Sequence, residues 1–357
     1  MNLPPLDLEE WLIRCRGARI DLDRSGSPPP YGDGFNPSID ILMEEDYEIE
    51  EKLIDTIASV YRFERERIAL TFGVQHANYL VFSTLFSSKE LIGVEIPTYM
   101  PIRAVAASFA RIVDLIRATP SDFRMESDKI IQCAKEGARA IVLTNLHNPS
   151  GKALGSDELK FLLEIAARQG IRIICDEIYR EMHYSKPPPS IAELEYDAVS
   201  TYGLTKLYGL GDLRLGWVVG PHELISKINL LRLYMCYRLP RRSVAIAIDA
   251  IRKREWFRDR MISLAQKNLR TLKEWLERET RVEATLPDGG FMILLKLPPK
   301  IDDLKFSEQL LHNYSTAVCP GRYFGAEGHI RVTFSCDRET LAAGLENISK
   351  LLDFLRC

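Results

Sequence analysis

Short apolar runs alternate with stretches of helical periodicity through the first two thirds of the chain. Six runs have the length and composition of buried strands and cover residues 68–72, 91–95, 112–116, 140–144, 171–175 and 215–219. Helical spacing marks residues 50–63, 75–86 and 128–135, and Ser156 is expected as the N-cap of a further helix that stops at Gly170. Because strands and helices alternate at this spacing, the pattern predicts an α/β fold whose sheet is mostly parallel and flanked by helices.

The last third of the chain has a different pattern of predicted elements, with longer helices and fewer strands. Long helical patterns cover residues 223–237 and 243–278, two strand patterns cover 289–296 and 329–335, and a final helix is expected after Asp337 as its N-cap. This pattern predicts a second, smaller α+β domain. A short helical segment at 8–13 and a proline-rich turn at 25–31 read as an entry segment that joins it. The predicted division is 1–35 for the N-terminal segment, 36–245 for a large domain and 246–357 for a small domain.

Composition narrows the classes of protein that remain. The 357 residues include 47 basic and 50 acidic side chains, a net charge of −3, so nothing indicates nucleic acid as a partner. No apolar run reaches the length of a membrane span, and the acidic start does not resemble a signal peptide. Seven scattered cysteines form no C-x-x-C pair, and the six histidines form no H-E-x-x-H pattern. We therefore expect a cytoplasmic protein without a disulfide framework and without a metal site.

One lysine stands out from the others because of its surroundings. Lys206 lies in a glycine-rich stretch, residues 200–217, with few charges nearby, and Arg214 follows eight positions later. Glycines allow backbone to approach a ligand closely, and an amine in such a pocket can act as a nucleophile on a carbonyl. A nearby arginine suits a phosphate group. An aldehyde combined with a phosphate describes pyridoxal 5'-phosphate (PLP), which we take as the hypothesis for the cofactor.

Several residues after predicted strands could serve such a cofactor. Asp176 could face the pyridine nitrogen, although an aspartate there could equally cap a helix. Tyr179 and Asn148 could donate to the phenolic oxygen, with a packed tyrosine and a simple turn as the alternatives. Tyr99 could stack on the ring or merely pack. Arg331, the single charge in its strand, could bind a substrate carboxylate, or it could form a structural ion pair.

Three glycine-containing stretches bear on phosphate binding. Residues 68–77 read as a strand, a glycine and a helix start, which is the layout of an anion site at a helix N-terminus. By contrast, residues 147–152 end like a P-loop, but Ala153 stands where serine or threonine is needed. Residues 209–214 lack the third glycine of a dinucleotide motif. These failures disfavour a nucleotide-binding protein.

Taken in order, these pieces resemble PLP-dependent aminotransferases of class I and II, the aspartate aminotransferase superfamily of fold type I. The resemblance covers nearly the whole chain and rests on five motifs: Asn148-Pro-Ser-Gly151, Asp176-Glu-Ile-Tyr179, Thr205-Lys206 with Arg214-Leu-Gly-Trp217, Pro320-Gly-Arg-Tyr-Phe-Gly325, and Arg331.

The resemblance also implies roles for individual residues. Lys206 would be the Schiff-base lysine and proton shuttle, with Asp176 and Tyr179 as the other catalytic residues. The cofactor would be bound by Val74, Gln75, Tyr99, Asn148, Asp176, Tyr179, Thr205, Lys206 and Arg214, and the substrate carboxylate by Gly26, Asn148 and Arg331.

The implied activity is transfer of an amino group between an L-amino acid and a 2-oxo acid by a ping-pong mechanism, in a homodimer whose active site lies at the subunit interface. A lyase, a decarboxylase or a racemase on the same fold stays open, and a non-catalytic ligand-sensing domain is a remote alternative. Two positions depart from or blur the family pattern: Gly203 replaces a serine that touches the phosphate, and Tyr47 is a weak candidate for the tyrosine lent across the dimer. Arg232, Arg238, Arg241 and Arg242 could meet a distal carboxylate, but they read more simply as a basic loop.

Overall fold

The computed structural model describes residues 4–37, 46–117 and 123–355, with only the backbone of residues 46 and 47. Its helices are α1 (Asp7–Arg14), α2 (Asp46–Tyr61), α3 (Val74–Leu85), α4 (Met100–Ala107), α5 (Ser127–Lys135), α6 (Ser156–Gln169), α7 (Ile191–Leu194), α8 (His222–Met235), α9 (Arg241–Arg252), α10 (Arg254–Arg278), α11 (Asp303–Tyr314) and α12 (Arg338–Phe354). Its strands are β1 (Ile20–Asp21), β2 (Ile68–Thr71), β3 (Leu91–Ile96), β4 (Arg111–Ile116), β5 (Ala138–Thr144), β6 (Arg172–Asp176), β7 (Val199–Gly203), β8 (Gly216–Val219), β9 (Glu283–Ala284), β10 (Met292–Lys296), β11 (Thr316–Ala317), β12 (Cys319–Pro320) and β13 (His329–Thr333). Within these residues, no helix is both long enough and apolar enough to cross a membrane.

The predicted central sheet is present and has seven strands in the order β2-β8-β7-β6-β5-β3-β4. Six of them correspond to the predicted strands, whereas β7 is not predicted because its sequence, Val-Ser-Thr-Tyr-Gly, is not an apolar run. Strands β3 to β7 pair in parallel, whereas β8 runs antiparallel to both of its neighbours. Strands β2, β7 and β8 are buried along their whole length, and β5 is buried at every position but one, because apolar helices cover both faces of the sheet. The α/β fold class is therefore confirmed, with one antiparallel strand near an edge.

The last third of the chain forms a second layer of structure around a four-stranded antiparallel sheet, ordered β12-β13-β10-β9. Strand β1 of the N-terminal segment pairs in parallel with β11 beside it. Helix α1 is held to the same region because the Trp11 indole N–H donates to the Val318 carbonyl oxygen at 2.9 Å. The N-terminal segment thus contacts the C-terminal region. The predicted boundary at 245 falls inside α9, and the division into domains stays a prediction.

Two details of the helix ends differ from the sequence-based expectation. Helix α6 has Gly155 as its N-cap rather than Ser156, and the Glu158 carboxylate accepts a hydrogen bond from the Gly155 N–H at 2.9 Å. The serine was expected to cap, but the reaching glutamate satisfies the free backbone donor instead. The pattern at 243–278 is two helices that meet at Lys253. By contrast, Gly170 ends α6 in the left-handed conformation and Asp337 caps α12, as predicted.

A buried ion pair lies beneath the carboxyl ends of the parallel strands. The Glu95 side chain accepts hydrogen bonds from the Thr144 backbone N–H and hydroxyl at 2.7 and 2.6 Å, and from Arg117 Nε at 2.7 Å. Arg117 also donates to the carbonyl oxygens of Phe123 and Thr144. These contacts tie β3, β5 and the end of β4 together, directly below the segment that follows Thr144.

Replacing Arg117 by methionine is therefore expected to lower the free energy of unfolding by about 3–5 kcal/mol, because Glu95 would be left as a buried, uncompensated charge. Urea denaturation followed by circular dichroism measures the change. The matched control is Arg103→Met, which removes the exposed ion pair between Arg103 of α4 and Asp114 of β4. This substitution should lower the free energy of unfolding by at most about 1 kcal/mol. Equal losses in the two variants would contradict this account.

Candidate active site

A cavity of about 220 Å³ opens at the carboxyl edge of the central sheet. It is lined by all nine residues that the sequence predicts for the cofactor: Val74, Gln75, Tyr99, Asn148, Asp176, Tyr179, Thr205, Lys206 and Arg214. They come from the start of α3, the N-cap of α4 and the segments that follow β5, β6 and β7. Parallel strands end at the same edge of a sheet, so residues distant in sequence meet there.

Asp176, the last residue of β6, is the buried carboxylate of the cavity. Its oxygens accept hydrogen bonds from the Asn78 amide and from the Ile178 backbone N–H, both at 3.1 Å. Asn78 is fixed in turn because its own amide oxygen accepts from the Thr201 hydroxyl at 3.1 Å. Burial nevertheless raises the pKa of Asp176 from 3.8 to about 6. A cationic ring nitrogen is the kind of group that would stabilise the carboxylate here.

Lys206 lies just after β7, and its amine contacts two residues. The Lys206 ammonium donates to Ser25 Oγ at 3.1 Å, and the Ser25 and Tyr179 hydroxyl oxygens lie 2.6 Å apart. The Lys206 Nζ also lies 5.3 Å from the centre of the Tyr179 ring. Ser25 is a site residue that the sequence analysis missed, because a serine in a proline-rich turn carries no signal of its own.

The phosphate end of the cavity combines a helix N-terminus with a guanidinium group. Helix α3 begins after Gly73, whose φ of +78° favours glycine and leaves the first backbone N–H groups of the helix open. The Arg214 guanidinium packs against Gly73, since a Cβ placed on that glycine would lie 3.0 Å from Arg214 Nη2. Free backbone N–H groups and an arginine together suit a phosphate.

A second cavity, about 990 Å³, adjoins the first and contains the predicted substrate residues Gly26 and Arg331. The buried Arg331 guanidinium donates to the Asn148 amide oxygen at 3.1 Å and to the Asp23 carbonyl oxygen at 2.9 Å. Its Nε has no hydrogen-bond partner within the described parts of the chain, so the arginine keeps a donor for a ligand. The structural ion pair that was its alternative is absent among those residues. Gly26 packs on Thr205 and Lys206, and a Cβ at this position would lie 3.1 Å from the Thr205 carbonyl oxygen, which is a tight contact.

Tyr99 connects the two cavities. Its hydroxyl donates to Glu9 Oε1 at 2.5 Å and accepts from the Gln75 amide at 3.2 Å. Glu9 belongs to α1 and was not singled out from the sequence, where it is one acid in an acidic run. The sequence contains no signal that could bring residue 9 next to residue 99.

The arginines near residue 240 do not reach either cavity. Arg232 is buried and pairs with Glu50 at 3.2 Å, and Arg238 lies 3.6 Å from the same carboxylate. Arg232 and Arg238 thus pair with a carboxylate of the protein itself. The basic loop expected here is present only at Arg238, because Arg232 lies in α8 and the other two arginines lie at the start of α9. The side chain of Tyr47, the candidate for a residue lent across a dimer, lies outside the described residues.

With this geometry, the chain has the fold and the arrangement of a PLP-dependent enzyme of fold type I. Residues 44–348 match the family described as aminotransferase class I and II, and the chain belongs to that family. It therefore uses pyridoxal 5'-phosphate, and transamination is the activity that its family and relatives support.

Individual relatives have low sequence identity to this chain, but the alignments cover most of both proteins. The chain is 27% identical to a capreomycidine synthase of Streptomyces vinaceus, over 98% of this chain and 94% of that protein. It is 26% identical to an arginine–pyruvate transaminase of Pseudomonas aeruginosa, over 80% and 74% of the two chains. Among solved structures, a PLP-dependent aminotransferase from Streptococcus suis superposes with a TM-score of 0.88 at 24% identity, covering 99% of both chains. The PLP-dependent cyclase OrfR superposes with a TM-score of 0.87 at 24% identity, covering 99% and 98%.

A pH-dependent stability is expected from Asp176. In the cofactor-free protein, its pKa is about 6 against 3.8 for an ordinary aspartate. Between these values the folded state holds a proton that the unfolded chain has released, so this residue's contribution to stability falls as pH rises through that window. Asp176→Asn removes the effect, and the variant should gain up to about 3 kcal/mol over the wild type between pH 4 and pH 7. Urea unfolding of both cofactor-free proteins measures it, and parallel pH curves would contradict it.

The departure at Gly203 is also testable. A Cβ at this position would lie 3.4 Å from the Leu215 carbonyl oxygen and 3.7 Å from the Val74 backbone nitrogen, which is ordinary contact. Gly203→Ser should therefore fold normally and bind PLP about 3- to 10-fold more tightly, since it adds one hydrogen-bond donor beside the start of α3. Fluorescence titration measures the Kd. Gly209→Ser is the steric control, because its φ is +65° and a Cβ would collide with the Pro28 backbone. Weaker binding by Gly203→Ser would show that the site does not accept the hydroxyl.

Proposed function

We propose that the protein transfers an amino group between an L-amino acid and a 2-oxo acid, with Lys206 as the lysine that binds PLP. The observation that carries the proposal is the meeting of all nine predicted cofactor residues around one cavity. The bound cofactor supplies an aldehyde that condenses with amines and a ring that accepts electrons. Within this arrangement, Asp176 would hold the ring nitrogen protonated, and Arg214 with the first residues of α3 would hold the phosphate.

Lys206 is placed to move a proton as well as to bind the cofactor. The Lys206 amine would act as the base that takes the α-proton of the substrate and as the acid that gives the proton up again. Ser25 and Tyr179 lie within hydrogen-bond distance of each other, and Ser25 contacts the lysine amine. They would hold the amine near the reacting carbon while it changes its charge.

Arg331 would bind the α-carboxylate of the substrate. Its guanidinium is buried and donates to the Asn148 amide oxygen, the Asp23 carbonyl oxygen and Cys319 Sγ. Two of its five N–H groups, including that of Nε, therefore have no partner among the described residues. A fixed guanidinium recognises a carboxylate by two parallel hydrogen bonds. The position of the carboxylate would orient the α-proton toward Lys206.

We also propose a homodimer in the cytoplasm. Apolar side chains at the end of α8 and just beyond it are exposed, with Tyr234 at 84% and Tyr237 at 67%, and Leu230, Leu233 and Met235 beside them. A contiguous exposed apolar patch of this kind favours an interface with a second copy.

The division into an N-terminal segment, a large domain and a small domain is proposed on the basis of the separate sheets.

Cyclisation or elimination is the second candidate function. It stays open because a capreomycidine synthase, a relative that is not named as a transaminase, aligns with 98% of this chain. All of these reactions begin with the same proton transfer from the substrate, and the fold does not select among them. The identity of the products therefore distinguishes cyclisation or elimination from transamination.

Purified protein with PLP should show a visible absorbance band that Lys206→Ala abolishes, because the lysine forms the coloured adduct. Addition of amino acids should bleach the band, and a 2-oxo acid should restore it, which is the signature of two half-reactions. A panel of amino acids with 2-oxoglutarate or pyruvate, analysed for both products, measures turnover. Release of ammonia with no new amino acid would support elimination and contradict the transaminase. Absence of the band would contradict the assignment of Lys206.

A further inference from the structure

Glu9 lies at the junction of the two cavities. The smaller cavity holds the cofactor residues and the larger one holds Arg331 and Gly26, and the residues common to both are Glu9, Tyr99, Thr205 and Lys206. A substrate whose α-carboxylate is bound by Arg331 and whose amine reaches Lys206 lies along this junction. Glu9 is therefore placed beside the path that a substrate side chain would follow.

The Glu9 carboxylate is held in place by its helix. Leu8 and Trp11 of α1 are buried, and the Trp11 indole N–H is bonded to the Val318 carbonyl oxygen. Tyr99 fixes one carboxylate oxygen from the other side at 2.5 Å. An acid that is anchored by packing on both sides has a defined position, in contrast to the exposed Glu10 that follows it.

Glu9 retains an unused acceptor. In the described parts of the chain, Tyr99 Oη is its single hydrogen-bond partner, and no lysine, arginine or histidine forms an ion pair with it. Its second carboxylate oxygen thus has no cationic partner among the residues that the structure describes. A partly buried carboxylate in this state gains most from a ligand that brings a positive charge.

The other charged side chains around the larger cavity do not supply a positive charge to Glu9. Asp21 pairs with Arg24 at 2.8 Å near the surface, and Arg331 is bonded to Asn148 and the Asp23 backbone. Asp23 is buried and adds a second carboxyl group to the same wall, while Arg16 is exposed. With Arg331 assigned to the α-carboxylate, the carboxyl groups left for a substrate side chain are those of the partly buried Glu9 and the buried Asp23. Burial raises the pKa of Asp23 to about 7, so Glu9 is the better candidate for a cation.

We propose that Glu9 is a specificity-determining residue that selects amino acids whose side chain ends in a cation, a guanidinium or an ammonium group. The proposal rests on the proposed function, because it assumes that the α-carboxylate and amine are held by Arg331 and Lys206. The same carboxylate would repel substrates with a distal carboxylate, such as aspartate and glutamate.

A purely positioning role for Glu9 makes a different prediction. If Glu9 served only to orient Tyr99, then its removal would change the reaction of every amino acid by the same factor. Recognition of charge instead affects cationic substrates and leaves neutral ones of equal shape unchanged. L-arginine and L-citrulline form such a pair, because they differ by a charged guanidinium against a neutral urea.

The test is the kcat/KM of the PLP-loaded enzyme for these two amino acids in the wild type, Glu9→Gln and Glu10→Gln. The wild type is expected to prefer arginine about 10- to 100-fold, the contribution of one hydrogen bond between charged groups. Glu9→Gln should lose most of this preference through the arginine value alone, and Glu10→Gln should keep it. Equal losses for both amino acids, or no preference in the wild type, would overturn the proposal.

A binding measurement separates this proposal from the proposed function. Equilibrium binding of L-arginine and L-citrulline to Lys206→Ala protein, with and without Glu9→Gln, requires no turnover and is followed by calorimetry. Tighter binding of arginine that depends on Glu9 would support the specificity role even if no amino group were transferred. Equal binding of the two amino acids would refute that role even if transamination were observed.

Discussion

The parallel register of three adjacent strands is the constraint on which the site depends. Thr144 of β5 lies opposite Asp176 of β6, and Asp176 lies opposite Thr201 of β7, so three polar residues form one row across the sheet. Each of the three side chains has a hydrogen-bond partner outside the row: Thr144 bonds to Glu95, and Asp176 and Thr201 both bond to Asn78. A shift of one strand by a single residue would turn its member of the row to the other face of the sheet. The chain segments that carry Asn148, Tyr179 and Lys206 start from this row.

The N-terminal segment completes the site from outside the sheet. The Ser27 N–H donates to the Lys206 carbonyl oxygen at 2.8 Å, and the Leu22 carbonyl oxygen accepts from the Thr333 N–H in β13 at 2.8 Å. The segment is thus bonded to the lysine loop on one side and to the strand of Arg331 on the other. Ser25, Gly26 and Glu9 reach the cavities because of these backbone contacts.

The sequence predicts those site residues whose neighbours in the chain mark them, and it does not predict those that only the fold brings to the site. Asp176 stands at the end of an apolar run, Lys206 lies in a glycine-rich stretch with few charges, and Arg331 is the single charge in its strand, so local pattern alone marks them. Glu9, Ser25 and Asn78 carry no such mark, because their roles arise from contacts across 90 to more than 180 positions of sequence. Asn78 has one usable signal, because it is a polar residue on the otherwise apolar buried face of a helix. The antiparallel direction of β8 was equally hidden, since an apolar run has the same composition in either direction.

The site residues hold their charges at a cost in stability. Asp176 is buried with a raised pKa, and Arg331 keeps a buried donor without a partner in the described structure. A domain that needed only to be stable would replace such groups with apolar ones. Their opposite signs are also separated in space, with the carboxylate of Asp176 at the ring end of the smaller cavity and the guanidinium of Arg331 in the larger one. A molecule that satisfies both must present a cation at one end and an anion at the other. A protonated pyridine ring joined to an amino acid through its amine meets that requirement, which is why the two cavities are best understood as one site.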